Sequence, residues 1–223
     1  MMQCYMCSSE SVSMEHVPPR CIFPECKDLS KGVDYRKNLI TIPSCAEHNL
    51  QNSYDDEYFF YVLVSNWGTN SAGINHWNTK ILRSLNKSPS KLGIYKNFKT
   101  VQINGITTGA YVIDFGRLCR EIDKISRGIY FHHFNKQWNY PIEIVLPAAI
   151  SIGKPESRDN NKVVRNTSDM IAQILSNEKK YGDNPDIFYY QYKIEEVILG
   201  YILRMIFYGS IEIVTLSNLP KST

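Results

Sequence analysis

A chain of 223 residues with 43% hydrophobic and 21% charged side chains can bury a core of its own and has an ordinary globular composition. No basic stretch leads into an apolar run at the start, and no segment approaches the ~20 consecutive apolar residues of a membrane helix, so a cytoplasmic protein without membrane contact is expected. In that compartment its six cysteines are ligands or buried thiols rather than disulfides. The net charge of +3 is unevenly spread: residues 1–60 carry five Lys or Arg against nine Asp or Glu, and residues 61–223 carry 20 against 13. No acidic residue lies between Tyr58 and Ile113, where Lys80, Arg83, Lys87, Lys91, Lys96 and Lys99 all fall. An acidic segment joined to a basic body suits a protein acting on a polyanion, and the plainer reading is a solvated basic surface.

In chain order, the first signal is a pair, Cys4-x2-Cys7, answered later by a second, Cys45-x2-His48. Two intervening residues let both side chains of a pair turn toward one ion, and zinc takes four such ligands tetrahedrally at roughly 2.0–2.3 Å. The pairs predict one structural Zn2+ held by Cys4, Cys7, Cys45 and His48; the plainer alternative, since one Cys-x2-Cys alone is a weak signal, is a pair of free or redox thiols. A knuckle and a short strand are expected over residues 4–17, ending at Glu15-His16 and stopped by Pro18-Pro19. An irregular loop follows over 20–37, with Cys21 and Cys26 at a spacing that does not fit the knuckle. Residues 38–42 alternate with β-branched side chains and predict a second strand. Ser44, with Glu47 three residues on, is the expected cap of a helix over 45–66. On that helix Asn49, Asn52 and Asp56 share a face, which makes Asp56 a spare metal ligand or, more plainly, part of a solvated acidic turn.

A Gly/Asn/Ser-rich loop at 68–75 precedes a predicted helix over 76–86. Residues 98–115 read as a hairpin turning at Asn104-Gly105. An amphipathic helix is predicted over 118–127, with Leu118, Ile122 and Ile125 inward and Arg120, Lys124 and Arg127 on a solvated or phosphate-gripping face. His132-His133 reads as strand, where successive side chains diverge and cannot easily share a metal. An apolar strand is expected over 141–152, an exposed polar loop over 153–167, and strands over 186–192 and 211–216 around a helix at 195–206. Tyr189, Tyr190 and Tyr192 suit core packing or stacking on bases.

The order Cys-x2-Cys, then Glu15-His16-Val17-Pro18-Pro19, then Asn38-Leu39-Ile40-Thr41-Ile42-Pro43-Ser44-Cys45-x2-His48-Asn49, then Asp55-Asp56-Glu57-Tyr58-Phe59, resembles the HNH endonucleases of the ββα-metal superfamily. It is most similar to the zinc-stapled bacterial members whose core opens with the Glu-His-Val-Pro-Pro run. The resemblance covers about the first 60 residues; beyond them, residues 124–130 are loosely similar to a downstream segment of some of these proteins. By position it implies His16 as general base and Glu15 as acidic metal ligand, one methylene longer than the usual Asp. It also implies Asn38 as a brace of the catalytic loop and Asn49 as the residue completing the metal site. The fold implied is α+β: a zinc-stapled HNH module over 1–66, then a mixed α/β accessory or substrate-binding region over 67–223. The function implied is hydrolysis of phosphodiester bonds in nucleic acid, DNA first, with Mg2+ or Mn2+ at Glu15 and Asn49. Lys80, Arg83 and Lys87 are the expected phosphate contacts. The alternative is a zinc-stapled module that binds nucleic acid or protein without cutting, and a protein partner or homo-oligomer is left open.

Overall fold

The computed structural model describes residues 2–50, 53–103, 105–149, 156–195 and 200–218. The chain begins in a knuckle, closed by Cys4 N–H donating to Ser9 O at 3.0 Å and by a bridge between Gln3 and Glu10. Strand β1 (Ser13–His16) pairs antiparallel with β2 (Thr41–Ser44), placing Glu15 opposite Ile42 and His16 opposite Thr41. The intervening segment is irregular as expected, with single 3-10 turns at Arg20–Ile22 and Cys26–Asp28. Helix α1 (Ala46–Leu50) follows, then α2 (Ser53–Val64). Asn52, expected on the shared face, lies outside the described residues. Ser44 does not cap the helix: its hydroxyl donates to Cys45 O, and it is the Cys45 carbonyl that receives Asn49 N–H at 3.1 Å. Strand, strand and helix thus occur in the expected order, and the class is α+β.

Helix α3 (Ser71–His76) starts inside the expected loop, because Asn70 accepts from Gly73 N–H and caps it. It continues through a π-turn (Trp77–Ile81) into α4 (Leu82–Lys87). The hairpin is β3 (Lys99–Ile103) and β4 (Ile106–Ala110), with Gly105 at φ +79°. Its partner in the turn, Asn104, is outside the described residues. Helix α5 runs further than predicted, Phe115–Phe134, from the Asp114 cap to Asn135 in the left-handed region. His132 and His133 therefore sit in its last turn, not on a strand, and His133 Nε2 meets Tyr190 Oη at 2.8 Å.

The remaining strands, β5 (Glu143–Val145), β6 (Tyr181–Asn184), β7 (Phe188–Glu195), β8 (Gly200–Phe207) and β9 (Ile211–Asn218), form one antiparallel sheet in the order β5-β9-β8-β7-β6. Helix α6 (Glu156–Ile174) precedes β6. Two expectations fail here for identifiable reasons. Within the helix predicted at 195–206, residues 196–199 lie outside the described residues and the part from Gly200 is strand β8, whose Tyr201, Leu203, Met205 and Phe207 face the main core while Ile202 meets Ile171 and Leu175 from the α6 side. A strand covered on both faces loses its alternation and cannot be told from a buried helix by periodicity. The loop predicted at 153–167 is largely α6: its Asn, Asp and Ser residues read as turn formers, but one buried edge, Ser157, Ser168 and Ile171, suffices to dock it. Of the apolar strand expected over 141–152, the described residues 141–149 form strand only at β5, Glu143–Val145, and 150–152 lie outside the described residues.

Helix α5 sits at the centre. Leu118, Ile122, Ile125 and Ile129 join one apolar cluster that runs from Cys4 to Ile213, across both the N-terminal segment and the sheet. Gly128 permits this close approach: a Cβ there would lie 2.7 Å from Val17 Cγ2 and 2.8 Å from Ile42 Cδ1. The β1–β2 hairpin thereby rests directly on α5, which decides what surrounds Glu15. Among the described residues no helix is long and apolar enough to cross a membrane.

Candidate functional site

Two neighbouring centres are built from the N-terminal residues. In the first, the ligand atoms of Cys4, Cys7, Cys45 and His48 all lie within 4.8 Å of one another. Cys7 Sγ is 3.8 Å from Cys45 Sγ, and His48 Nδ1 is 3.2, 3.5 and 3.6 Å from the sulfurs of Cys45, Cys7 and Cys4. Bond lengths of about 2.3 Å to sulfur and about 2.0 Å to nitrogen require edges of roughly 3.8 and 3.5 Å in a tetrahedron, so these four separations are close to what a metal ion such as zinc would require. The knuckle is held from outside as well: Gln137, just beyond α5, donates its side-chain amide to Cys4 O and Cys7 O, both at 2.7 Å. Cys21, Cys26 and Cys119 are free and stand apart from this cluster.

The second centre is an open pocket of about 330 Å³ to which Glu15, His16, Arg20, Asn49, Asp56 and Lys80 all contribute. β1 supplies Glu15 and His16, and α1 supplies Asn49. The Asn49 amide donates to Ser13 Oγ at 2.6 Å, which fixes the side chain and commits its nitrogen. His16 is half-buried; burial first, then the positive charges of Arg20 and Arg36, hold its imidazole below the usual value of 6.5.

Beneath the pocket lies a group that local sequence did not indicate. Lys124, expected on a solvated face of α5, is buried, with Nζ 3.2 Å from Glu15 Oε1, 3.2 Å from Asp56 Oδ1 and 3.0 Å from Glu121 Oε2. Burial pushes the Glu15 and Glu121 carboxyls above the ordinary carboxylate range and Lys124 opposes it. Glu15 Oε2 and Glu121 Oε1 are buried without a hydrogen-bond partner. The i,i+3 spacing of Glu121 and Lys124 was the only sequence signal for this cluster, and it is common on solvated helices. Removing the cation should be costly, because it leaves carboxylates buried and uncompensated, typically by 3–5 kcal/mol. Lys124→Met is thus expected to lower the melting temperature markedly, and Glu121→Gln in the same background to recover part of the loss. A Lys124→Met protein melting at the wild-type temperature would show that the cluster is not held by this pairing.

Other expected site residues are placed differently. Asn38 is exposed, at φ +51°, and donates to Asp183 Oδ2 at 2.6 Å; it ties the N-terminal segment to β6 instead of bracing the pocket. The predicted basic row is divided by the π-turn. Lys80 turns into the pocket, donating to Cys21 O at 2.9 Å and lying 4.8 Å over the Phe60 ring. Arg83 forks onto Asp28 at 2.9 and 2.8 Å, and Lys87 stays exposed at the end of α4. Arg120 and Arg117 both pair with Asp55, and Arg127 with Asp123, so the phosphate-gripping alternative on α5 has no open cation among these. In comparisons with known proteins, no family model, no curated protein and no solved structure matches the chain.

Proposed function

We propose that this chain is a metal-dependent endonuclease of the HNH type, hydrolysing phosphodiester bonds, in DNA first, with His16 as general base. The observation that carries the reading is the convergence of Glu15, His16 and Asn49 on one open pocket, beside a four-ligand Cys/His cluster that can staple the same hairpin to α1. Oxygen donors suit a hard cation. Glu15 has an unsatisfied buried Oε2, Asn49 has its nitrogen committed and so offers Oδ1, and Asp56 adds a carboxylate in the same pocket. These residues would hold Mg2+ or Mn2+, and such an ion supplies neutralisation of charge on the scissile phosphate and the leaving oxygen. Lys124 stands behind them as an internal counter-charge, which keeps Glu15 and Asp56 together without an ion.

The other roles fall to the chain itself. A neutral imidazole can take a proton from water, and the depressed His16 value keeps it neutral at physiological pH. Arg20 and Lys80 line the same pocket and face an incoming phosphate with positive charge. Since the base must be unprotonated, kcat/KM should be lost as pH falls through the His16 value, and that midpoint should lie below 6.5. A pH–rate profile on plasmid checks this; an acidic limb centred at or above the ordinary imidazole value would assign the proton transfer elsewhere. The primary test is conversion of supercoiled plasmid to nicked or linear form with added Mg2+ or Mn2+ against no added divalent ion. No conversion under any of these conditions would favour the second reading, a zinc-stapled binding module, for which the Lys124–Glu15 pairing speaks.

A further inference from the structure

Further along α2 and α4 from the proposed active pocket lies a second cleft, of about 650 Å³, between α4 and the β3–β4 hairpin. Its position is set by the same helices: Tyr61 and Ser84 line the active pocket, and Val64, Ser65 and Leu85, within one helical turn of them, line this cleft. The walls are aromatic. Tyr95 meets Tyr111 edge-on at 5.0 Å and Trp77 at 5.9 Å, with its hydroxyl fixed to Ser65 Oγ at 2.9 Å. Phe98 is 64% exposed. It is nevertheless seated, because Gly109 leaves room for its ring: a Cβ at that position would come within 2.5 Å of Phe98 Cε2. A large aromatic ring given a backbone cradle yet left in water is a surface awaiting a flat apolar partner.

The surrounding charge identifies that partner. The cleft is built largely from the stretch in which no acidic residue occurs between Tyr58 and Ile113. Of the cations in that stretch, Lys80 is turned inward onto Cys21 O, Lys91 is paired with Glu57 and Arg83 with Asp28. Lys87, Lys96 and Lys99 remain exposed, and among the described residues no carboxylate pairs with them. Lys96 and Lys99 flank Phe98 in sequence, and Lys87 ends the helix that supplies Leu85. Aromatic faces bordered by unpaired cations are what single-stranded nucleic acid requires: bases stack on the rings and phosphates meet the lysines. A duplex keeps its bases stacked on one another and cannot present them to a cleft.

We infer that the Trp77–Tyr95–Phe98–Tyr111 cleft is a stacking site for unpaired bases of a nucleic acid strand. The inference rests on the nuclease reading for its biological sense. It names the substrate class: nucleic acid with a single-stranded segment, such as a flap, gap or overhang.

The experiment is an anisotropy titration of the full chain, zinc retained and no other divalent ion added, against fluorescein-labelled oligothymidylate and a duplex of equal length. Wild type should bind the single strand more tightly than the duplex. Phe98→Ala should weaken single-strand binding about tenfold, the order expected for one stacked base, while leaving duplex binding nearly unchanged. Lys87, Lys96 and Lys99 replaced together by Gln should flatten the dependence of single-strand affinity on salt by about two units. Phe98 is exposed enough that its loss should not disturb folding, and an unchanged melting curve checks this. Equal affinity for single strand and duplex, or no effect of Phe98→Ala and of the lysine replacements, overturns the inference, as does a cleft that proves to bury a second copy, seen as concentration-dependent dimerisation abolished by Phe98→Ala. Because binding is read without cleavage, a protein that binds the strand as expected but never cuts plasmid would sink the nuclease reading alone.

Discussion

The protein is expected to hold zinc at the Cys4, Cys7, Cys45 and His48 cluster, and replacing Cys45 with Ser should release it and unfold the N-terminal segment, the largest stability loss expected for any single substitution in this chain. In small zinc peptides the binding free energy is folding free energy, on the order of 10 kcal/mol. Here the Cys/His cluster is part of the main core: Cys4 and Cys45 are buried members of the same apolar cluster as Phe59, Ile122 and Leu203. Tyr5, between the two knuckle cysteines, is buried and donates its backbone N–H to Pro43 O. Losing the metal therefore detaches the knuckle from the β1–β2 hairpin and opens the core beneath it. The measurement is zinc content by mass spectrometry beside a thermal melt, on wild type, Cys45→Ser and the more exposed Cys7→Ser. Stoichiometric zinc in wild type, lost in both variants together with a large fall in melting temperature, is the expected outcome. Active, metal-free wild type, or a Cys45→Ser protein that melts like wild type, would remove the metal from the fold.

What could be read from the sequence divides along the distance between interacting residues. The Cys/His cluster was legible because each ligand pair is local: two residues apart, the side chains converge whatever the rest of the chain does. Glu15, His16 and Asn49 were legible as a set only through the resemblance, and the pocket brings all three together. Lys124 was not legible. Its three carboxylate partners come from β1, α2 and its own helix, and nothing near it distinguishes a lysine destined for burial from one on a solvated face. Asn38 misled for the same reason, since Asp183 is 145 positions away. The sheet was half-read: β7 and β9 alternate visibly, while β8 between them carries apolar residues on both faces and imitates a helix. The basic row failed on a subtler point. Lys80 and Arg83 were spaced for a regular helix, but the π-turn at Trp77–Ile81 rotates one into the pocket and leaves the other to Asp28.

His16→Ala should reduce the cleavage rate by ~10²–10⁴-fold, the usual contribution of a positioned general base. That corresponds to about 3–5 kcal/mol of transition-state stabilisation, at about 1.4 kcal/mol per decade. The site makes the effect separable from stability. His16 is only half-buried at the rim of the hairpin, whereas the core beneath is filled by Val17 and Ile42 and the metal cluster is held by other residues. Zinc content, melting temperature and affinity for nucleic acid should therefore stay near wild type while kcat falls. The residual activity should also lose its acidic limb, because the group that titrates is gone. Asn49→Ala and Glu15→Ala should behave differently: each removes an oxygen donor from the proposed cation site, so a higher Mg2+ or Mn2+ concentration should restore part of the rate. It should restore nothing in His16→Ala. Glu15→Ala will in addition disturb Lys124, so Glu15→Gln is the cleaner variant for that position. A His16→Ala protein that cuts plasmid at the wild-type rate, with an unchanged pH profile, would place the base elsewhere and remove the HNH mechanism from this pocket.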